Sequence, residues 1–422
     1  MQTHLAPEYQ HSADALAAKA ILQKCVHCGF CTATCPTYQL LGDELDGPRG
    51  RIYLMKQVLE GDTPSRATQL HLDRCLTCRN CETTCPSGVD YGHLLDIGRK
   101  LVDVKVARPI TEKAVRWLLK EGLPSPLFAA ALRVGQVLRP LLPRVLQNKL
   151  PQRQPTTRPI PWPTTRHPRK VILLNGCTQP AMRPNIDSAT ARVLDAAGIE
   201  CLLVAKSGCC GAVKFHLNDQ DGGKAQMRAN IDAWWPLLAP DARSGVDAIV
   251  MNASGCGITV KDYGHILRHD PAYADKAAHI STLTRDLSEL LPELVPTLLP
   301  VLLARRKAKA ALPALVFHPP CTLQHGQQLR GGVEQHLAAL GFAVRLATNE
   351  SHLCCGSAGT YSILNPGIAN TLRDRKLQNL QARAGEVIIS ANFGCITHLQ
   401  SGTDTPVRHW VEVVDGVLGG TG

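Results

Sequence analysis

Two stretches of the chain repeat one cysteine spacing. Cys25-Val-His-Cys28-Gly-Phe-Cys31-Thr-Ala-Thr-Cys35-Pro36 and Cys75-Leu-Thr-Cys78-Arg-Asn-Cys81-Glu-Thr-Thr-Cys85-Pro86 both read C-x2-C-x2-C-x3-C-P. Three thiolates two residues apart can wrap a loop around one cubane, while the fourth turns away and, in two-cluster ferredoxins, ligates the other cluster. The spacing therefore predicts two [4Fe-4S] clusters, one on Cys25, Cys28, Cys31 and Cys85 and one on Cys75, Cys78, Cys81 and Cys35. This crossed ligation would tie residues 14–105 into a small helical module, with a helical segment over Arg51–Glu60 between the motifs.

Zinc and disulfides are the competing uses of such thiols. Zinc favours two separated C-x-x-C knuckles, which fits eight thiols at cubane spacing poorly. Two-residue gaps also disfavour disulfides, and a chain that opens without a basic n-region and apolar core is expected in the cytosol, where thiols stay reduced. His27, beside a ligand, is expected to be a solvent-facing or hydrogen-bonded loop residue, since four thiolates already fill each cluster. Arg74 and Arg79 are expected to make the second cluster's surroundings more positive and favour its reduced form.

The remaining cysteines fall into a second pattern. Of seventeen, only Cys201 lies outside the dense motifs and two sparse sets, Cys177, Cys209, Cys210, Cys256 and Cys321, Cys354, Cys355, Cys395. Each set begins after a strand-like run, Val171–Asn175 or Leu315–His318, passes a second run at Ala197–Val204 or Leu340–Leu346, and reaches a vicinal pair followed by glycine. Each closes on an apolar run leading to Gly-Cys, ending at Cys256 or Cys395. Such repetition signals duplicated domains, and β-branched runs alternating with helices signal α/β units with mostly parallel strands, whose sites form at the strands' carboxyl ends. The expected fold is thus an α-helical ferredoxin-like N-terminal module (14–105), a basic proline-rich connector (106–169), and two repeated α/β cysteine-rich domains (170–300 and 312–422). The sparse thiols could hold a further Fe-S cluster, hold zinc, act as a dithiol pair, or be small buried hydrophobes.

A formal net charge of +11 suggests an acidic partner or an anionic membrane surface. Nucleic acid is disfavoured, because the basic residues are scattered and aromatics make up only 4% of the chain. No apolar run long enough to span a bilayer is expected; the uncharged stretch Gly122–Leu132 is too short and holds two prolines. Arg133, Arg139, Arg144 and Lys149, with interleaved Leu and Val, allow either an interfacial helix on lipid or an ordinary core helix.

Taken with the order of motifs, the stretches Cys25–Tyr38, Gly47–Leu54 and Arg74–Tyr91 resemble the iron-sulfur subunits of bacterial glycolate oxidase. Similar layouts occur in the iron-sulfur chain of anaerobic glycerol-3-phosphate dehydrogenase and in heterodisulfide reductase. That family usually ends each repeat in C-x-x-C, whereas Ala253 and Asn392 stand at the first of those positions here. The chain shows no G-x-G-x-x-G after a strand, no P-loop and no catalytic triad, so no catalytic residue is assigned. The resemblance implies flavin on partner subunits that oxidise glycolate to glyoxylate and also D-lactate to pyruvate, and electrons passed here toward a quinone-type acceptor. Alternatives are a subunit of another flavin-linked dehydrogenase, a heterodisulfide-reductase-like catalytic chain, or a docking scaffold. The expected location is the cytoplasm, with peripheral contact at the inner membrane's cytoplasmic face.

Overall fold

The computed structural model describes residues 1–141, 162–306 and 312–419. Up to Leu138 the chain is helical. Ala13–Lys24 starts from a Ser12 cap, whose side chain accepts from Ala15 N. Pro48–Leu59 starts at a proline, which suits the first turn because its missing N–H has no intrahelical partner there anyway. Tyr91–Lys105 then packs between these two. Leu22, Met55, Leu59, Leu94, Leu95 and Val102 form the apolar core around which the dense cysteine motifs are folded.

The connector begins with two helices, Ile110–Gly122 and Phe128–Leu138, where one amphipathic helix had been the expectation. The first is bound at both ends. Arg108 and Arg116 converge on Asp73, whose carboxyl they hold below the usual range against the effect of burial. At the other end, Lys214 of the first repeat donates to both Glu121 oxygens at 2.9 Å. Ile110, Trp117, Leu118, Leu127, Val134 and Val137 remain exposed on this pair of helices. Of the basic residues singled out there, Arg144 and Lys149 lie outside the described residues.

Each repeat is a four-stranded parallel sheet. In the first, β1 (Arg169–Leu173), β2 (Ile199–Leu203), β3 (Val246–Met251) and β4 (Thr284–Asp286) lie in the order β2-β1-β3-β4. In the second, β5 (Ala314–His318), β6 (Val344–Leu346), β7 (Glu386–Ser390) and β8 (Val407–His409) lie in the order β6-β5-β7-β8. The edge strands β4 and β8 were not foreseen; three residues are too few to show a period. One continuous apolar core runs through both repeats, from Val171 to Leu418. Across the seam, Arg192 holds the Asp415 carboxylate with two bonds, at 2.8 and 2.6 Å.

Leu287–Ala304 corrects the expectation about apolar length. Among the described residues it is the one helical stretch long and apolar enough, by length and composition, to cross a membrane. Its polar interruptions in sequence are few, and Pro292, Pro296 and Pro300 hid the helix because proline normally breaks one. Leu291, Leu294, Leu298 and Leu302 are buried in the core shared by the repeats, so this stretch packs as a core helix.

Candidate metal centres

The two dense motifs adopt the same loop. The second and fourth residues after the first cysteine are left-handed in both: His27 and Gly29, then Thr77 and Arg79. Alternating handedness curls the backbone around the thiols, and an L-residue there costs about 1–2 kcal/mol that the surroundings must over-determine. A short helix follows, Phe30–Ala33 or Asn80–Thr84, carrying Cys31 or Cys81. Its end is closed by the N–H of Cys35 on Thr32 O and of Cys85 on Glu82 O, both at 3.1 Å. That turn sends the fourth thiol away from its own loop.

The resulting neighbours are crossed. Burial first, and then the thiols of Cys25, Cys28 and Cys85, push the Cys31 thiol up to about 11. Burial and the thiols of Cys78, Cys75 and Cys35 likewise push Cys81 up. Such shifts describe protonated thiols crowded together, which is the situation that coordination to a cation relieves. All seventeen cysteines are free thiols, so none is withdrawn into a disulfide. Donors to sulfur are in place: Thr77 N lies 3.4 Å and Tyr91 Oη 3.7 Å from Cys75 Sγ. The residues present fit two thiolate-bound Fe-S clusters.

The charges near the second set are arranged differently from the expectation. Arg79 bonds Asp262 of the first repeat at 3.0 Å and lies 3.9 Å from Glu82, so its charge is compensated. A cation beside the sulfurs that sequence reading missed is Arg51. It is fully buried, and although burial works against its charge, Cys75, Tyr91, Cys35 and Asp46 hold it protonated. Asp46 is shared between Arg51 and Arg74 at 3.4 and 2.9 Å, which leaves one net positive charge in the network. Arg99 braces the same loop through Leu72 O and Cys75 O at 2.8 and 2.7 Å. His27 is partly exposed; its Nε2 is buried without a hydrogen-bond partner, and its ring lies edge-on to Tyr53.

The sparse thiols come together in each repeat with identical connectivity. Cys177 adjoins Cys209, Cys209 adjoins Cys210, and Cys210 adjoins Cys256, each shifting the titration of the next. The second repeat joins Cys321 to Cys354, Cys354 to Cys355, and Cys355 to Cys395. Cys177 and Cys210 lower the Cys209 thiol and are themselves raised by it. The glycine after each pair is required by the backbone. Gly211 has φ +93° with Gly223 O 2.8 Å from where a Cβ would sit, and Gly356 has φ +89° with Ala369 O at 2.4 Å. Asn392, in place of the family's cysteine, instead joins the repeats: its Nδ2 reaches Cys395 Sγ at 3.5 Å and its Oδ1 accepts from Gly255 N at 3.3 Å.

The module and the second repeat share a wall. Leu76 and Cys78 pack in one apolar cluster with Cys321 and Cys354, and Tyr361 Oη donates to Arg74 O at 2.9 Å. The charge of Cys321 adds to burial in raising Cys78. Next to this wall is a cavity of about 640 Å³, lined among others by Thr83, Phe317, His325, Arg330, Leu346 and His352. His325 bridges it, with Nδ1 3.1 Å from Thr83 Oγ1 and Nε2 2.8 Å from His352 O.

A helical module with two cubane motifs, built onto two parallel-sheet domains that each gather four thiols, defines an iron-sulfur protein of the dicluster and cysteine-rich class. Residues 21–89 match the 4Fe-4S dicluster domain, and residues 171–261 and 315–400 match the cysteine-rich domain. The chain is 54% identical to the glycolate oxidase iron-sulfur subunit of Escherichia coli K12, over 99% of both chains. It is 29% identical to the probable glycolate oxidase iron-sulfur subunit of Bacillus subtilis 168, over 91% of this chain and 89% of that one. Lactate utilization protein A of Bacillus licheniformis is 24% identical over 54% of this chain and 90% of its own. The chain belongs to the glycolate oxidase iron-sulfur subunit family.

Proposed function

We propose that this chain carries electrons singly from a flavin on partner subunits, where glycolate is oxidised to glyoxylate and D-lactate to pyruvate, toward a quinone-type acceptor. Cys25, Cys28, Cys31 and Cys85 hold one [4Fe-4S] cluster and Cys75, Cys78, Cys81 and Cys35 the other; each supplies one-electron redox chemistry when bound. The reading rests on the continuity of the thiols: the first set reaches the surface at Cys28, flanked by exposed Val26 and Phe30, and the second abuts Cys321 and Cys354. The protein's own contribution is to hold the sulfurs, exclude water around Cys75 and Cys81, and place Arg51 beside them.

The exposed Val26 and Phe30 suit docking of a flavin subunit, and the cavity beside His325 is roomy enough for an acceptor ring, with an imidazole at hand to pass protons. The sparse thiols hold a further metal centre, which makes two clusters a minimum. The chain works in the cytoplasm, with the exposed apolar residues from Ile110 to Val137 bringing it to the face of the inner membrane.

The test is anaerobic purification with co-expressed partner subunits, followed by iron counting and EPR during a glycolate titration. About eight irons or more per chain and cluster signals that develop with glycolate are expected. Iron-free protein, or clusters that glycolate leaves oxidised in the assembled complex, would reject the reading.

A further inference from the structure

The two repeats match thiol for thiol but not in what surrounds the thiols. His318 ends β5, three residues before Cys321; Leu174 stands three residues before Cys177 in the first repeat. His318 is fully buried, and neither Nδ1 nor Nε2 has a hydrogen-bond partner. Among the described residues it is the one histidine orphaned at both nitrogens. An imidazole buried this way forfeits the hydrogen bonds it would make in water, and native proteins rarely leave such a loss standing.

Its surroundings supply the reason. A ring nitrogen of His318 and the sulfurs of Cys355 and Cys395 lie within 4.8 Å of one another, and all three residues are buried. Cys354 adjoins Cys355, and Cys321 adjoins Cys354, so the rest of the thiol set begins beside this group. A second difference points the same way. The helix after each Cys-Cys-Gly supports the loop before it, through the neutral amide of Asn230 on Cys209 O in the first repeat and through the ammonium of Lys376 on Glu350 O and Ser351 O in the second. Lys376 is buried, and burial pulls its ammonium below its ordinary range, while Cys321, Cys355 and Cys354 are the neighbours that oppose this. A buried cation of this kind is tolerated where the centre beside it is anionic, as a thiolate-bound metal is.

We propose that His318 is a metal ligand, completing with Cys355 and Cys395 a mixed imidazole and thiolate centre in the second repeat that the first repeat, with Leu174 in that place, does not form. This takes over the proposal that the sparse thiols hold metal, and deepens it by making the two centres unequal. The imidazole occupies the role left open where Asn392 replaces the cysteine usual in the family. Imidazole with thiolate suits the iron of an Fe-S centre or zinc, and excludes magnesium and calcium.

The experiment uses the full chain, purified anaerobically and labelled with 15N-histidine. Pulsed EPR of the reduced protein and X-ray absorption at the iron and zinc edges read the ligand directly, and the edge that reports nitrogen identifies the metal. A histidine-nitrogen coupling, or a nitrogen scatterer beside sulfur, is expected in the wild type and is lost in His318→Leu. Leucine is the residue the first repeat already accommodates, so this variant is built to fold. Metal retained by the second repeat after dialysis against a chelator should fall at least about tenfold in it, the scale on which even outer partners act. His318→Cys should restore the metal without the nitrogen signal. Absence of histidine nitrogen at any metal in the wild type overturns the proposal, as does a His318→Leu protein with unchanged metal content and spectra. The cubane signals of the dense motifs are the control: if they are missing from the wild type, it is the electron-transfer reading that has failed.

Discussion

The glycine of the second Cys-Cys-Gly offers the sharpest test of how the thiols are placed. Gly356 has φ +89°, and an added methyl would sit 2.4 Å from Ala369 O and 3.0 Å from Leu372 Cβ, on a helix anchored by buried Ala369 and Leu372. Three residues on, Gly359 has φ +63° with nothing within 4 Å of its Cβ position. Gly359→Ala therefore carries only the left-handed cost, about 1–2 kcal/mol, reduced by the stiffer unfolded chain. Gly356→Ala carries at least that, plus about 1–3 kcal/mol for overlap with backbone that cannot swing aside. The expected gap between the two variants is about 1–3 kcal/mol, measured as the difference in urea midpoint scaled by a common m-value under anaerobic conditions. Because the strain falls between Cys355 and the helix that carries Lys376, Gly356→Ala should also lose metal from the second repeat while Gly359→Ala keeps it. Equal stability of the two, within about 0.5 kcal/mol, would show that the approach to Ala369 is not what requires glycine.

Three further outcomes follow from buried charge and exposed apolar surface. Burial pushes the Asp187 carboxyl up from 3.8 to about 6, although Asn252 and Gln179 hydrogen-bond it. The folded state thus holds a proton the unfolded chain has lost, so stability falls as pH rises from about 4 through 6, by about 3 kcal/mol; Asp187→Asn keeps the Oδ1 acceptor and should flatten that decline in denaturation curves between about pH 4 and 7. Removing the buried cation in Arg51→Met should lower the second cluster's midpoint potential by about 100 mV, from about 2–3 kcal/mol at an effective dielectric near 20 and an assumed separation of about 6–8 Å; an EPR-monitored redox titration that finds no shift, or a rise, would refute the assignment. Trp117→Ser with Ile110→Ser should reduce flotation with anionic liposomes at low salt, and undiminished flotation would place any lipid contact elsewhere.

What the sequence could and could not reveal divides along a physical line. Ligand spacing is local, so the two cubane loops and the doubled Cys-Cys-Gly were legible, and the strand runs around Val171, Ile249, Val316 and Ile388 were long and β-branched enough to read. Charge placement is not local. Arg51 lies 24 residues before Cys75 in a helix of ordinary composition, and tertiary packing, with its bond to His71 O at 2.7 Å, puts it beside that sulfur, while Arg79, adjacent in sequence to a ligand, is diverted to Asp262 across the seam with the first repeat. His318 shows the same limit from the other side. Read in sequence it is one histidine before a Pro-Pro-Cys; its meaning depends on both its nitrogens being sealed from water and on Leu174 standing in its place in the twin domain. Duplication made that comparison possible. Two domains that keep four thiols in the same order, yet exchange leucine for histidine and a neutral amide for a buried ammonium, differ in the donors and the charge they bring to those thiols, and it is on that difference that the proposed centre of the second repeat rests.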